Sequence, residues 1–355
     1  MKAILKYPLF RRTAPTNEVK ANDFLPEGSV IDVEEIINGT AIDGISIWHR
    51  AKDGFFYWGG GVIEMQEMSA IIERKSSWIT SLGLEHIWDR VGEKGARAKI
   101  AILDSGYNID NSDLSEAVKD SKVFFASVAG KIITVHDTFG HGSHCASLIG
   151  GRNKNFITGC APESELYIAK ICSQGSVRSY SIMVDAIKWA IEKEVDVISI
   201  SYGGETSDDD LENIIDKAVN EHNIIVIASI GDFIRDTANM PCFPALFKNC
   251  IAVGATNEAG KISSVTISNS KTLINAPGED IPGFSLGMAP EPMTGTSQSS
   301  AIVAGIAGLI ISRHKQLQKQ YTVASIINLI IQNADDIQDV PGQKLISPKK
   351  IFSKI

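Results

Sequence analysis

Four short stretches of the chain carry side chains able to do chemistry. The run "KIAILDSG" ends on Asp104, followed by Ser105 and Gly106. A carboxylate there reads as a turn or cap residue, or as the partner of a base. The stretch "GHGSHCASLIG" opens on His141 and carries His144 three residues later. Gly140, Gly142 and Ser143 around them are small enough for a neighbouring backbone to come close. No carboxylate follows the two histidines at helical spacing, which argues for a base and a packed neighbour and for no metal. In "MTGTSQSSAIVAGIAGLI", Ser297 opens an apolar helix after Gly295 and Thr296. Its hydroxyl lies beside unpaired N–H groups, where it acts either as an N-cap or as a nucleophile whose oxyanion those groups stabilise. Last, "IASIGDF" cuts an apolar run with Gly231 and a lone carboxylate, Asp232. That residue reads as a ligand, a catalytic group, a cap, or the altered remnant of a working site.

These residues need a scaffold, and hydrophobic periodicity supplies one. Strands are expected over Lys99–Leu103, Val123–Ala126, Leu166–Ile171, Val195–Ser201, Ile224–Ile230 and Cys250–Ala255. Helices are expected over His141–Gly150, Ser179–Glu194, Asp208–Glu221, Ser297–Arg313 and Thr322–Asn333. Runs such as "KIAIL" and "NIIVIASI" are apolar throughout, as when helices cover both sheet faces, so the class is α/β with a mainly parallel sheet. Working residues then gather beyond the carboxyl ends of the strands, where Asp104 and Asp232 both fall.

The first 66 residues differ. "SVIDVEEII", "TAIDGISIWHRAK" and "GFFYWGGGV" alternate as strands do, with Asn38-Gly39 and Asp53-Gly54 as turn signals. This predicts a small all-β domain over 1–66, a linker over 67–80 and an α/β domain over 81–355. The aromatics Trp48, Phe55, Phe56, Tyr57 and Trp58 are expected in cores or between domains, with a peptide groove as the alternative.

Composition narrows the partners. The chain has 355 residues, 44% hydrophobic and 21% charged, with net charge −8. That describes a globular protein and argues against nucleic acid as partner. The apolar stretch before Arg11 and Arg12 is too short for a signal peptide, and Ala301–Ile311 is too short to span a bilayer, so no membrane partner is expected. Five cysteines without metal-type spacing read as free thiols in the cytoplasm.

Asp104 in "DSG", His141 in "GHGSH" and Ser297 in "GTSQS", in that order, resemble the subtilases, the subtilisin-like serine proteases. "GCAPESELYIAKI", "VDVISISYGG", "FPALFKNCIAVGA" and "INAPG" extend the resemblance over about residues 75–335. The stretch around Trp48, Asp53-Gly54, Tyr57 and Trp58 resembles bacterial Src-homology-3-like barrels. The first resemblance implies a three-layer subtilisin-like fold and a serine endopeptidase. His141 would take the proton of Ser297 while Asp104 holds the imidazole, and an acyl-enzyme would form.

In the family an asparagine that donates to the oxyanion stands at the position of Asp232, and an ionised carboxylate has no proton to give. The hole expected from Asp232 and the Ser297 N–H is thereby altered. Escapes are a protonated Asp232, reliance on the Ser297 N–H, or a slow and selective enzyme. The resemblance further implies a peptide strand pairing with Ser201, Tyr202 and Gly203 and with 176–178, and a primary pocket walled by Ser229, Ile230 and Gly231 over Cys242. With no acidic group in that pocket, an apolar or small side chain is expected before the scissile bond. Asp113 matches a calcium-binding carboxylate, but Arg152 and Lys154 in the companion loop would repel a cation, so no cofactor is expected. Ala301 replaces a common proline. This leaves open amine attack on the acyl-enzyme, hence a ligase or macrocyclase, beside a neutral helix substitution. An impaired peptide-binding protein is the remaining alternative. The expected partner is a peptide or protein substrate, with the N-terminal domain binding a peptide or the peptidase domain itself.

Overall fold

The apolar runs fold into strands buried at nearly every position. The structure, a computed structural model, describes residues 2–6, 9–16, 24–25, 29–64, 77–125, 133–152, 157–173, 179–232, 242–267, 271–287, 289–338 and 340–355. It divides into two compact units, one of residues 1–73 with 287–291 and one of 74–286 with 292–355.

In the larger unit the strands are β1 (Lys99–Asp104), β2 (Val118–Val123), β3 (Glu165–Lys170), β4 (Val197–Ile200), β5 (Ile225–Ser229), β6 (Cys250–Thr256), β7 (Ile274–Pro277), β8 (Asp335–Asp336) and β9 (Lys344–Leu345). They form a nine-stranded sheet in the order β8-β9-β7-β6-β5-β4-β1-β3-β2. The described pairings from β2 to β9 are parallel, and β8 with β9 is antiparallel. Strands β4 to β7 are buried at every residue, so both faces are covered.

The cover comes from helices α1 (His141–Gly150), α2 (Tyr180–Glu192), α3 (Asp209–Asn220), α4 (Thr296–Gln316) and α5 (Val323–Gln332). Helices α1 and α4 pack on each other and on the sheet, while α2 and α3 form a second pair. Residues Thr296 to Ser312 of α4 are buried all round, as in a helix running through a core. Fully buried isoleucines such as Ile302, Ile306 and Ile310 each contribute about 1.5–3 kcal/mol. The small residues between them let α4 approach the sheet closely.

Two expectations need correction here. The strand expected at 123–126 lies at Val118–Val123, because its sequence "VKDSKV" sets four consecutive polar residues between two valines and escapes an apolar-run criterion. It is an edge strand, paired on one side only; Ala126 lies outside the described residues. The short helix Ser112–Ala117, capped by the Asn111 side chain, and the four-residue β7 were missed for want of length.

The smaller unit holds a five-stranded antiparallel sheet ordered Phe56–Trp58, Ile45–Ala51, Val30–Ile42, Lys2–Leu5, Val62–Glu64. It has its own core of Ala3, Leu5, Ile31, Val33, Tyr57 and Val62. Trp48 and Tyr57 are fully buried, with Trp48 Nε1 donating to Thr40 O at 3.0 Å and Tyr57 OH to Asp53 Oδ2 at 2.9 Å. The turn expected at Asn38-Gly39 is absent, since both residues lie within the strand Val30–Ile42. The hairpin turns instead at Asp43-Gly44, both with positive φ. Gly39 is small for another reason: a Cβ there would sit 2.3 Å from Pro15 O.

Candidate active site

Asp104 is the last residue of β1, with no exposed surface, in register with Lys170 of β3. Its carboxylate accepts from the Ser105 N–H at 2.7 Å and from His141 Nδ1 at 2.9 Å and 3.0 Å, one contact to each oxygen. A carboxylate partner on both oxygens requires the proton on Nδ1, which leaves Nε2 as the basic nitrogen. His141 is the first residue of α1, and the helix start seats close to β1 because the next residue is Gly142. A Cβ there would meet Gly106 O at 2.3 Å and Asp104 Oδ1 at 3.0 Å. Burial works to lower the His141 pKa, but the charges of Asp104, Asp137 and Asp232 outweigh it and hold it above its usual value.

Ser297 is the second residue of α4 and 8% exposed. Its Oγ donates to Ser201 O at 3.3 Å, and among the described residues no hydrogen bond joins it to His141. The two sides meet around Ser201-Tyr202. The Tyr202 ring lies 5.4 Å from the His141 ring, and Cys145, one turn into α1, points its Sγ at Ser201 Oγ (3.7 Å) and at Ser297 O (4.0 Å).

Asp232 follows β5 and aims at the same helix start. Its Oδ1 accepts the Thr296 N–H at 2.7 Å, and Oδ2 lies 2.7 Å from where a Gly295 Cβ would be. Of the four readings open in the sequence, the geometry is that of a long-range cap on α4. A negative charge at a helix N-terminus is favourable there, but a carboxylate accepting from this N–H donates nothing. The next N–H, that of Ser297, has no partner among the described residues.

The remaining expected site residues gather beside these. Gly204 and Phe243 exchange backbone hydrogen bonds of 3.0 and 2.8 Å, which anchors the end of the Ser201-Tyr202-Gly203 segment, with Gly203 exposed. Cys242 Sγ donates to Ser229 O at 3.8 Å and lies 2.5 Å from a would-be Gly203 Cβ, so it closes the gap between the two segments. Burial, and then Asp232, push its thiol up to about 11, so it stays protonated at neutral pH. Ser229 and Ile230 are buried, Gly231 is half-buried, and the Ile230 N–H is paired with Val253 O. Residues 176–178 lie outside the described residues.

Asp113 is buried in the short helix Ser112–Ala117. Arg152 gives its guanidinium to the carbonyls of Pro162 and Ser164, and Lys154 lies outside the described residues. Among the described residues one group of donors could hold a metal, Asp104, His141 and Cys145, whose ligand atoms lie within 4.8 Å of one another. A cation there would cost the Asp104–His141 hydrogen bond and would need the Cys145 thiolate. Burial first, and then the Asp104 charge, push that thiol well up. Sequence reasoning missed Cys145 and Asp137, although "HDTFGHGSH" places a carboxylate four residues before His141.

Comparison with known proteins gives the family of the chain. The profile described as "Subtilase family" matches residues 95–347. A subtilisin of Bacillus pumilus is 32% identical over 224 residues, 63% of this chain and 80% of that protein. Subtilisin E of Bacillus subtilis (strain 168) is 31% identical over 224 residues, and the match covers 58% of its length. The major intracellular serine protease of the same organism is 30% identical over 246 residues, 68% of this chain and 77% of that protein.

Proposed function

The chain belongs to the subtilase family of subtilisin-like serine proteases, and from that premise we propose that it is an endopeptidase working through Asp104, His141 and Ser297. The observation that carries the reading is the two-oxygen grip of Asp104 on His141 Nδ1, beside a serine at the mouth of a buried helix. Rotation about the Ser297 Cα–Cβ bond, a picosecond-to-nanosecond motion between staggered wells, frees Oγ from Ser201 O. His141 Nε2 then takes the hydroxyl proton as Oγ attacks the carbonyl carbon, and returns it to the leaving amine. Asp104 stabilises the imidazolium formed in between. Water resolves the acyl-enzyme by the same route in reverse.

The oxyanion rests on the Ser297 N–H, with Asp232 as helix cap in place of an amide donor, so turnover is slow and selective. The substrate lies extended along Ser201-Tyr202-Gly203 as an added strand. A small or apolar side chain fills the space by Ser229, Ile230, Gly231 and Cys242, where no acidic group lies among the named residues. The residue 1–66 unit acts as a Src-homology-3-like module, supported by its five-stranded antiparallel sheet and separate core. A cytoplasmic setting is supported by five cysteines that form no disulfide and by relatives named as intracellular proteases. No helix among the described residues is long and apolar enough to cross a membrane.

Fluorophosphonate labelling of the wild type beside Ser297→Ala, followed by cleavage of a peptide library, tests the reading. Label on the wild type alone, with cleavage after small or apolar residues, is the expected result. Equal labelling of both proteins would sink it. Ala301 is buried in an unbroken α4, so ligation is the second reading, and product masses with an added amine separate it from hydrolysis.

A further inference from the structure

Four residues before His141 stands a carboxylate that the triad does not use. Asp137 has no exposed surface, and its two oxygens accept five hydrogen bonds. Oδ1 takes the Ser105 hydroxyl and the N–H groups of Phe139 and Gly140, each at 2.9 Å. Oδ2 takes the N–H of Ser143 at 2.9 Å and its hydroxyl at 2.7 Å. The network continues in both directions. Ser105 Oγ accepts the Gly142 N–H at 2.8 Å, while the Ser105 N–H donates to Asp104 Oδ1 at 2.7 Å. Ser143 Oγ accepts the Asn108 N–H at 2.9 Å.

One buried charge therefore ties the turn after Asp104 to the first turn of α1 that carries His141. The Gly140 cap residue has no side chain to do this, and a buried carboxylate is tolerable only when so fully hydrogen-bonded. We propose that Asp137 is a positioning residue of the triad: through Ser105, Gly140 and Ser143 it fixes the distance between the Asp104 carboxylate and the His141 ring. Its charge also acts on that ring. The groups facing His141 are the carboxylates of Asp104, Asp137 and Asp232, the Cys145 thiol, and the rings of Phe139 and Tyr202. Lys170, whose Nζ donates to His136 O at 2.5 Å, is a cation acted on by the Asp137 charge.

The proposal rests on the triad reading, so one readout is chosen that needs no turnover. In full-length protein carrying Ser297→Ala, the His141 ring is titrated by NMR, with its signal assigned by loss in His141→Gln. Asp137→Asn removes one negative charge, so the midpoint should fall by about half a pH unit or more. In the active protein the acidic limb of kcat/KM should move to lower pH by the same amount, with kcat about tenfold lower and KM unchanged. Ser105→Ala breaks the link and keeps the charge; it should lower kcat about fivefold while leaving the midpoint in place. An unmoved midpoint in Asp137→Asn overturns the proposal. If that variant does not fold, Ser105→Ala decides, and a kcat within about twofold of wild type overturns it. A wild type that neither cleaves peptide nor takes the label refutes the peptidase reading instead, and the NMR midpoint still decides the role of Asp137.

Discussion

On one side of the candidate site, His141 is gripped by both oxygens of Asp104, and the turn and helix that carry them share the Asp137 network. On the other side, the Ser297 hydroxyl donates to a backbone carbonyl, and the neighbouring carboxylate, Asp232, is engaged with the Thr296 N–H. The first side is assembled before any substrate arrives, while the second has its parts in place and its hydrogen bonds elsewhere. The contrast has a physical origin. A buried carboxylate must be satisfied in the resting protein, whereas a serine hydroxyl turns about one bond at little cost.

This contrast can be broken most decisively at the nucleophile. Ser297→Ala should lower turnover by about 10⁴–10⁶, the scale established for triad removal in subtilisins, while the fold and the His141 titration survive. Residual cleavage within about tenfold of wild type would mean the serine side does no chemistry. On the assembled side, Asp104→Asn keeps the shape but loses the charge that fixes the Nδ1 proton, and kcat should fall by about 10⁴. A loss under about tenfold would show that the grip is structural only.

Asp232→Asn should act in the opposite sense. The amide oxygen can still accept the Thr296 N–H, and its NH₂ can reach toward the oxyanion, so acylation should quicken by about tenfold or more. The same change sharpens the pH comparison. His141 must be neutral to act and its pKa is held above the usual value, so activity rises as pH climbs through that raised value. Removing the Asp232 charge should slide this limb to lower pH. A mutant about tenfold slower than wild type would show that Asp232 contributes to the chemistry as an acid. The smallest effect is expected at Cys145→Ala, where the thiol makes only long contacts, 3.7 Å to Ser201 Oγ and 4.0 Å to Ser297 O. Thermal unfolding should show a loss of about 1 kcal/mol, with kcat within about threefold of wild type. A larger kinetic loss would make the thiol part of the site.

Much of this was legible in the chain. Apolar runs gave the interior strands because residues buried on both faces leave no polar alternation, and small residues marked α4 because it lies deep in the core. The edge strand Val118–Val123 was misplaced because one open side admits polar residues. The hairpin turn was misplaced because Asn38-Gly39 resembles Asp43-Gly44 in sequence, and the glycine at 39 answers a close approach by Pro15 that no local rule can see. Asp232 was recognisable as an anomaly, but its partner, the Thr296 N–H, lies 64 residues away.

By itself, then, the run of apolar residues determined the α/β class, since local periodicity is written in the chain, and the order of Asp104, His141 and Ser297 in their motifs carried the resemblance that implies a serine peptidase. The tertiary structure decided which donors each carboxylate meets. It gave Asp104 to the imidazole, Asp137 to the turn and helix beside it, and Asp232 to the start of α4. Hydrogen bonds between distant segments depend on how sheet and helices pack, and that is fixed only when the whole core closes.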